Sequence, residues 1–434
     1  MEEVLQLARK KAEQAEVYSV TFSETPASFE ANRLKMLQTR QTWGIALRIV
    51  RNGRIGFSAT NDPNDKKGLV DRAVEISQFG AEAKFQLPGR ASYPEVNVYD
   101  PDVERVEIEK MVEMGQSMID TVRAFNSDVL CEAGVTRGVG VQVVMNSNGG
   151  SATYKKSVFS LGVDGTLIRG TDMLFVGESK SWCKPVFDMK HITDTVIKQL
   201  ELAKDTVAAP SGEVPVVFTP HGVANAMVHP LSLALNGKTV LQGASPLAGK
   251  LGQKVFDERF SVLDDSTIEL CPGSRMCDDE GVPSEKIALI KNGVLGSFLY
   301  DLQTAGLAGA RSTGSAARGL GSLPSPSLGV MVIGTGDARY DDMIADIKEG
   351  LVVEQLLGAG QGNVLGGEMG GNVLLGYKIE NGRIVGRVKD TVISGNIYQA
   401  LNKVIAIGKE AQWVGGSMLT PAICCKGITV ASKG

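Results

Sequence analysis

Apolar residues recur at helical spacing in several stretches of the chain. Near the start, Val4, Leu7 and Ala8 lie three to four positions apart, which predicts an amphipathic helix over 4–15. The same periodicity predicts three further helices, over 67–84, 103–126 and 189–206, and the stretch that carries His221 and His229 also has a helical pattern. Between these stretches, short runs of apolar or alternating residues predict strands, over 17–23, 28–37, 44–50, several segments of 129–178, 214–218 and 373–379.

Three Asn-Gly dipeptides mark tight turns between predicted strands. Asn-Gly readily supplies the two positive φ angles that a two-residue hairpin turn needs. The dipeptides are Asn52-Gly53, Asn292-Gly293 and Asn381-Gly382. Strands joined by such turns pair antiparallel, so the sequence predicts an α+β fold with antiparallel sheets and packed helices.

A segment of small residues with Pro and Gly, 208–213, separates a predicted helix from the strand at 214. The chain of 434 residues is long enough for two or three domains. We therefore predict an N-terminal α+β domain over 1–207, a linker over 208–213 and a glycine-rich C-terminal α+β domain over 214–434.

Composition excludes several classes of partner. The net charge is −4, and no run of Lys and Arg exceeds three, so the sequence predicts no nucleic-acid surface. No apolar run approaches the roughly 20 residues that a membrane helix needs. The acidic start Met1-Glu2-Glu3 differs from a secretory signal, and the cysteines form no Cys-x-x-Cys units. These features together predict a cytoplasmic protein.

Two other motifs indicate a structural role and not a catalytic or binding one. The glycines of 358–362 precede a predicted strand, whereas a phosphate-binding loop precedes a helix. Cys424 and Cys425 are adjacent in a predicted strand, so alternation predicts one buried thiol and one exposed thiol.

Polar residues at two places are candidates for binding. Asp278, Asp279 and Glu280 precede Gly281 and could bind a cation or a substrate amine, although a polar turn is the favoured interpretation. Ser312 and Thr313 lie in a small-residue loop that could contact a ligand or a partner chain, or could be a plain surface loop.

Histidine, the usual metal ligand and acid–base group, occurs only three times, as His191, His221 and His229. His221 and His229 are eight positions apart, a rise of about 12 Å in a helix, so a continuous helix cannot bring both to one zinc. We assign His221 a structural role at this stage.

Three stretches resemble the TldD/PmbA family, also called modulator of DNA gyrase. The longest covers residues 278–305 and continues to Arg311-Ser312-Thr313-Gly314 and Arg318. Residues 45–62 and 377–396 resemble the hairpins at the two ends of the family's proteins. The resemblance implies a dimeric cytosolic protein with a two-domain α+β fold. It also implies a heteromeric metallopeptidase that acts on small or unfolded peptides. One branch carries His-Glu-x-x-x-His on a helix, with two zinc ligands and a general base, and the PmbA-like branch lacks this motif.

The matching helix in this chain is predicted over 224–235, with the motif window at 229–234. His229 stands at the first ligand, but Pro230 replaces the general base and Ala234 replaces the second ligand. No Glu directly follows any of the three histidines. The resemblance thus implies a PmbA/TldE-like chain that is non-catalytic alone and binds no metal or cofactor. Zinc is then expected only on a TldD-like partner subunit. The peptide- or partner-binding candidates are Asp278, Asp279, Glu280, Ser312 and Thr313.

Two alternatives stay open. One is a stand-alone hydrolase with a different metal or acid–base set, such as Asp278, Asp279 and Glu280 with a metal. The other is a protein-binding modulator of DNA gyrase or its toxins. Whether the isolated chain forms a homodimer also stays open.

Overall fold

Helices of very different lengths pack on two β-sheets in the computed structural model, which describes residues 1–432. Among these residues, no helix combines the length and the apolar character needed to cross a membrane. The helices are α1 (Glu2–Arg9), α2 (Lys66–Ser77), α3 (Asp102–Arg105), α4 (Ile108–Phe125), α5 (Lys190–Leu202), α6 (Pro220–Val223), α7 (His229–Ala234), α8 (Gly237–Leu241), α9 (Leu302–Ala308), α10 (Tyr340–Ala345) and α11 (Ile397–Ala400).

The first sheet is antiparallel throughout its described strands, in the order β4-β3-β1-β5-β6-β7, with β2 paired to β1. Its strands are β1 (Gln14–Glu30), β2 (Arg33–Leu37), β3 (Arg40–Arg51), β4 (Arg54–Thr60), β5 (Leu130–Asn146), β6 (Ser151–Arg169) and β7 (Asp172–Trp182). Asn52 and Gly53 join β3 to β4 with φ of 50° and 70°, as the Asn-Gly signal predicts.

The second sheet has the order β13-β12-β11-β16-β22-β10-β17-β18-β20-β23-β9 along its main path, with β8, β19 and β21 attached at the side. The remaining strands of the chain, including the separate ribbon of β14 and β15, are β8 (Thr206–Val207), β9 (Gly212–Glu213), β10 (Val216–Phe218), β11 (Val262–Asp265), β12 (Lys286–Lys291), β13 (Val294–Leu295), β14 (Ala316–Ala317), β15 (Ser325–Pro326), β16 (Met331–Ile333), β17 (Glu349–Leu357), β18 (Glu368–Glu380), β19 (Arg383–Val388), β20 (Thr391–Asn396), β21 (Val404–Val414), β22 (Met418–Cys425) and β23 (Ile428–Ser432).

The α+β class is confirmed, with two additions to the sequence prediction. In the described part of the second sheet, β10 pairs parallel with β17, β16 with β22, and β8 with β19. These pairs join segments far apart in the chain, so hairpin signals could not predict them. Part of the predicted linker is also strand, since β9 pairs with β23.

One hydrophobic core contains residues of both sheets together with residues of α4 and α5. It contains Phe29 and Val163 from the first sheet, Met118 from α4, and Tyr377 and Cys424 from the second sheet. The opposite face of the second sheet packs in a separate core that contains Cys425. The prediction of one exposed thiol was therefore wrong: Cys424 and Cys425 do face opposite sides, but both sides of β22 are covered.

The helical stretch that carries His221 and His229 is not uniform. Between α6 and α7, residues Ala224–Val228 form a π-helical turn. Pro230 is then in the first turn of α7, where a missing backbone N–H disturbs the hydrogen-bond ladder least. The change of helix type lets the chain pass Pro230 without ending the helical run.

Candidate functional site

A cavity of about 630 Å³ is lined by residues of both sheets. Its walls come from β7, α5, α6, α10, β17, β18 and β21. This volume falls within the roughly 300–1,000 Å³ that is typical of small-ligand sites. The cavity is therefore a candidate ligand-binding or catalytic site.

An imidazole and a carboxylate meet in the cavity wall. His221 Nε2 lies 3.3 Å from Glu178 Oε1, and the Glu178 side chain is only 1% exposed. The Thr219 hydroxyl accepts from the Gly222 N–H at the start of α6, and the Thr420 hydroxyl donates to the Pro220 carbonyl at 3.0 Å. These bonds fix the turn that carries His221.

One carboxylate oxygen of Glu178 is hydrogen-bonded within the chain, and the other has no partner among the described residues. Its Oε1 accepts from the Ser179 N–H at 2.9 Å and faces His221. Its Oε2 is buried and has no hydrogen-bond partner within residues 1–432. A buried acceptor left in this state is costly, so a donor from outside the chain would be bound favourably there.

A second carboxylate, Glu354, lies in the same cavity. Gln199 Nε2 donates to its Oε1 at 2.6 Å, and Gln199 Oε1 accepts from the Gly177 N–H at 2.8 Å. The neighbouring Tyr377 hydroxyl is buried beside Glu354, and its interaction with the carboxylate opposes the effect of burial on the pKa of Glu354. Burial raises the pKa of Glu354 above its ordinary value.

The two carboxylates keep His221 protonated to higher pH. Burial alone would lower the pKa of His221, but the bond to Glu178 and the charges of Glu178 and Glu354 outweigh burial and raise it. Burial alone would raise the pKa of Glu178, but the bond and charge of His221, with Lys180, lower it. The two shifts favour the imidazolium–carboxylate form of the pair to a higher pH than for a free histidine.

The predicted motif window lies elsewhere on the same helical run. His229 is exposed, whereas Pro230 and Ala234 are buried, and His229 lines neither of the two cavities described here. The Pro230 carbonyl accepts from the Tyr398 hydroxyl at 3.1 Å, and the Ala234 carbonyl accepts from the Ser245 hydroxyl at 2.6 Å.

A smaller cavity of about 290 Å³ runs along this helix, and its surface does not fit zinc. The helix contributes Val228, Ser232, Leu233 and Asn236 to the lining. Val228 and Leu233 are five positions apart, the spacing of the two histidines in His-Glu-x-x-x-His, and both line this cavity. None of the four lining residues is a histidine, cysteine or carboxylate. Within residues 1–432, no group of three or more His, Cys, Asp and Glu side chains is placed to hold a metal ion.

The carboxylate cluster of the sequence forms internal hydrogen bonds. Asp278 and Glu280 are completely buried, and Asp279 is 6% exposed. Asp278 Oδ1 accepts from the N–H groups of Glu280 and Val282, and its Oδ2 accepts from that of Ala316. The side chains of Ser312 and Thr313 bond to backbone atoms of Tyr300. In this conformation all five residues are engaged within the chain, so a role in peptide or partner binding stays a prediction.

The cluster is part of an ionic network that joins the first sheet to the loops around 278–318. Arg48 of β3 donates to Glu16 of β1 at 2.8 Å and to Glu280 at 2.5 Å. Arg318 pairs with Glu16 at 2.7 Å, and Arg275 lies 3.6 Å from Asp279. The four carboxylates Glu16, Asp278, Asp279 and Glu280 thus outnumber the guanidinium groups of Arg48, Arg275 and Arg318. One carboxylate is left without a full counter-charge.

This excess predicts that stability falls as pH rises. Burial raises the pKa of Glu280 from 4.5 to about 8, so the folded chain keeps a proton that the unfolded chain releases above about pH 4.5. The free energy of unfolding should therefore fall between pH 5 and 8, by at most about 1.4 kcal/mol per pH unit, and this contribution should level off above pH 8. Urea unfolding across this range measures the slope. Glu280→Gln should flatten it, and an unchanged slope in that variant would contradict the assignment.

Comparison with known proteins places the chain in a family. Residues 211–432 match the model described as PmbA/TldA metallopeptidase C-terminal domain, and residues 15–77 match PmbA/TldA metallopeptidase domain 1. The chain belongs to the PmbA/TldD family. In the PmbA/TldD fold seen here, His221, Glu354 and Tyr377 fall within the matched C-terminal domain. Glu178 and Gln199 come from between the two matched stretches.

Full-length relatives agree with the PmbA/TldD assignment. An uncharacterized protein of Methanocaldococcus jannaschii is 26% identical over 433 residues, 98% of this chain and 99% of that protein. The metalloprotease PmbA homolog of Haemophilus influenzae is 22% identical over 423 residues, 94% and 90% of the two chains. The crystal structure of TldE from Thermococcus kodakarensis superposes with a TM-score of 0.88 at 23% identity, covering 100% of both chains. The last likeness concerns the fold alone.

The larger cavity was not predicted from the sequence. His221 was assigned a structural role, and no function was predicted for Glu178, Gln199, Glu354 or Tyr377. The scarcity of histidine, together with the Thr-Pro helix start before His221, was the available signal. No local pattern joins residues 178, 221 and 354, because their proximity depends on how β7, α6 and β17 are arranged in space.

Proposed function

We propose that this chain is the non-catalytic, PmbA/TldE-like subunit of a cytosolic metallopeptidase. A TldD-like subunit carries the zinc, and the complex acts on small or unfolded peptides. This chain shapes the substrate-binding part of the complex and stabilises its partner. It performs no zinc-dependent hydrolysis by itself.

The observation that carries the proposal is the surface of the helix in the family's C-terminal domain. Zinc peptidase chemistry with the His-Glu-x-x-x-His motif needs two histidines five positions apart on one helix and a carboxylate as base. The face along the smaller cavity offers Val228, Ser232, Leu233 and Asn236 instead. A shift of the motif window by one or two residues does not supply the missing ligands, since neighbouring positions such as Pro230 and Ala234 are buried and apolar.

One observation favours the alternative of a stand-alone hydrolase. His221 with Glu178 has the form of an acid–base group oriented by a carboxylate, and it lies in the larger cavity. Such an enzyme would work without zinc. Its activity would survive a chelator and would be lost in His221→Gln.

The test measures zinc content and peptide hydrolysis of the purified chain, with a TldD-like subunit from the same source as positive control. We expect less than about a tenth of an equivalent of zinc, and hydrolysis at the background rate with or without chelator. One equivalent of zinc with chelator-sensitive turnover would contradict the proposal. Chelator-resistant turnover that His221→Gln abolishes would establish the alternative.

A further inference from the structure

The larger cavity contains a hydrogen-bond acceptor that the chain itself does not satisfy. Glu178 Oε2 is buried without a partner within residues 1–432, and Glu178, which is only 3% exposed, lines the cavity. The Glu354 carboxylate lines the same wall. A ligand that fits this wall must bring an N–H or O–H donor.

The charge around the cavity selects for a cation. Among the described residues, five carboxylic side chains and two lysines line it, together with His191 and His221. An anion such as a phosphate or a peptide carboxyl terminus would meet Glu178 and Glu354 at close range. A primary ammonium group offers three donors and one positive charge in a compact group.

The rest of the cavity can accommodate the aliphatic or peptide chain that carries the ammonium group. Apolar side chains of Leu202, Ile344 and Ile384 line it beside the polar wall. The volume of about 630 Å³ accommodates a few amino-acid residues. Asp194, which pairs with Lys190 across one turn of α5, is exposed, as are Asp341 and Glu410, so Glu178 and Glu354 are the less exposed carboxylates of the lining.

We propose that this cavity is a binding site for a primary ammonium group on a short peptide. Glu178 and Glu354 receive the ammonium, the Tyr377 hydroxyl lies beside it, and Gln199 holds Glu354 in position. The group is either the amino terminus of a peptide or a lysine side chain, and both present the same chemistry. This site lies apart from the smaller cavity and does not depend on the subunit role, because it can be measured on the isolated chain.

Three peptides test the proposal by calorimetry on the isolated chain, with the His221 ring signals followed by NMR. They are Ala-Ala-Ala-amide, its N-acetylated form, and N-acetyl-Ala-Lys-Ala-amide. At least one of the two amine-bearing peptides should bind about tenfold or more tightly than the acetylated one and should shift the His221 signals. Which of the two binds identifies the source of the ammonium. Equal binding of all three peptides, or binding of none, would overturn the proposal.

A matched pair of variants locates the site. Glu354→Gln keeps the shape and the acceptor for Gln199 but removes the charge, and should weaken binding of the amine by about tenfold. Glu410→Gln removes the same charge from an exposed residue at the cavity edge and should change binding less than about twofold. Circular dichroism establishes that both variants fold. If the two variants weakened binding equally, the ammonium would not be held by Glu354.

Discussion

Arg48→Met is expected to lower the free energy of unfolding by about 3–5 kcal/mol, because it leaves buried carboxylates without their counter-charge. The Arg48 side chain is 3% exposed, and those of Glu16 and Glu280 are 0% exposed. Glu16 retains Arg318, but Glu280 loses its ion pair. Urea unfolding, followed by circular dichroism at about pH 9, above the pKa of Glu280 at about 8, measures the loss with this carboxylate ionised.

The matched control is Arg72→Met, which removes an ion pair of similar length at the surface. Arg72 lies 2.6 Å from Asp65, and the two side chains are 45% and 30% exposed. This change should cost at most about 1 kcal/mol. If Arg48→Met cost no more than Arg72→Met, the buried network would not hold the first sheet to the 278–318 loops. A second step adds Glu280→Gln to Arg48→Met and should recover part of the loss, since one unpaired charge is then removed.

Tyr377→Ala is expected to cost about 3–5 kcal/mol, whereas Tyr377→Phe should cost at most about 1.5 kcal/mol. Tyr377 is 1% exposed and packs in the core that both sheets share. Its ring fills that core, and its hydroxyl interacts with the Glu354 carboxylate in the cavity wall, so the ring carries most of the cost.

The same unfolding experiment separates the two Tyr377 variants. A cost above about 2 kcal/mol for Tyr377→Phe would contradict the account, because it would mean that the hydroxyl has a strong partner. A cost below about 1 kcal/mol for Tyr377→Ala would mean that the core does not couple the two sheets. The comparison thus tests the packing of the fold and the polar wall of the cavity together.

Local signals in the sequence predicted much of the fold. The helix predicted over 103–126 corresponds to α3 and α4, and the Asn-Gly turns have the positive φ angles expected of them. The helix predicted over 67–84 ends at Ser77 instead. At Gly80, the backbone passes so close to Ile55 that a Cβ would lie 1.7 Å from the Ile55 carbonyl oxygen. This contact between distant segments has no signature in the periodicity.

The candidate site could be predicted only in part, for a related reason. The family resemblance directs attention to His229, Pro230 and Ala234, which are neighbours in sequence. The larger cavity depends on Glu178, His221 and Glu354, which come together only when the two sheets pack. The carboxylates at 278–280 show the opposite case. Adjacent charges suggest a binding site, but folding buries them, with Glu280 paired to Arg48 and Asp279 close to Arg275.

This chain should work as a partner of a zinc-bearing subunit. Size-exclusion chromatography with light scattering, on this chain mixed with the TldD-like subunit from the same source, measures whether the two chains associate. We expect one heteromeric complex that contains zinc and hydrolyses peptides. Both the zinc and the activity should be lost when the first histidine of the partner's motif is replaced. Separate elution of the two chains, together with peptidase activity in this chain alone, would contradict this expectation.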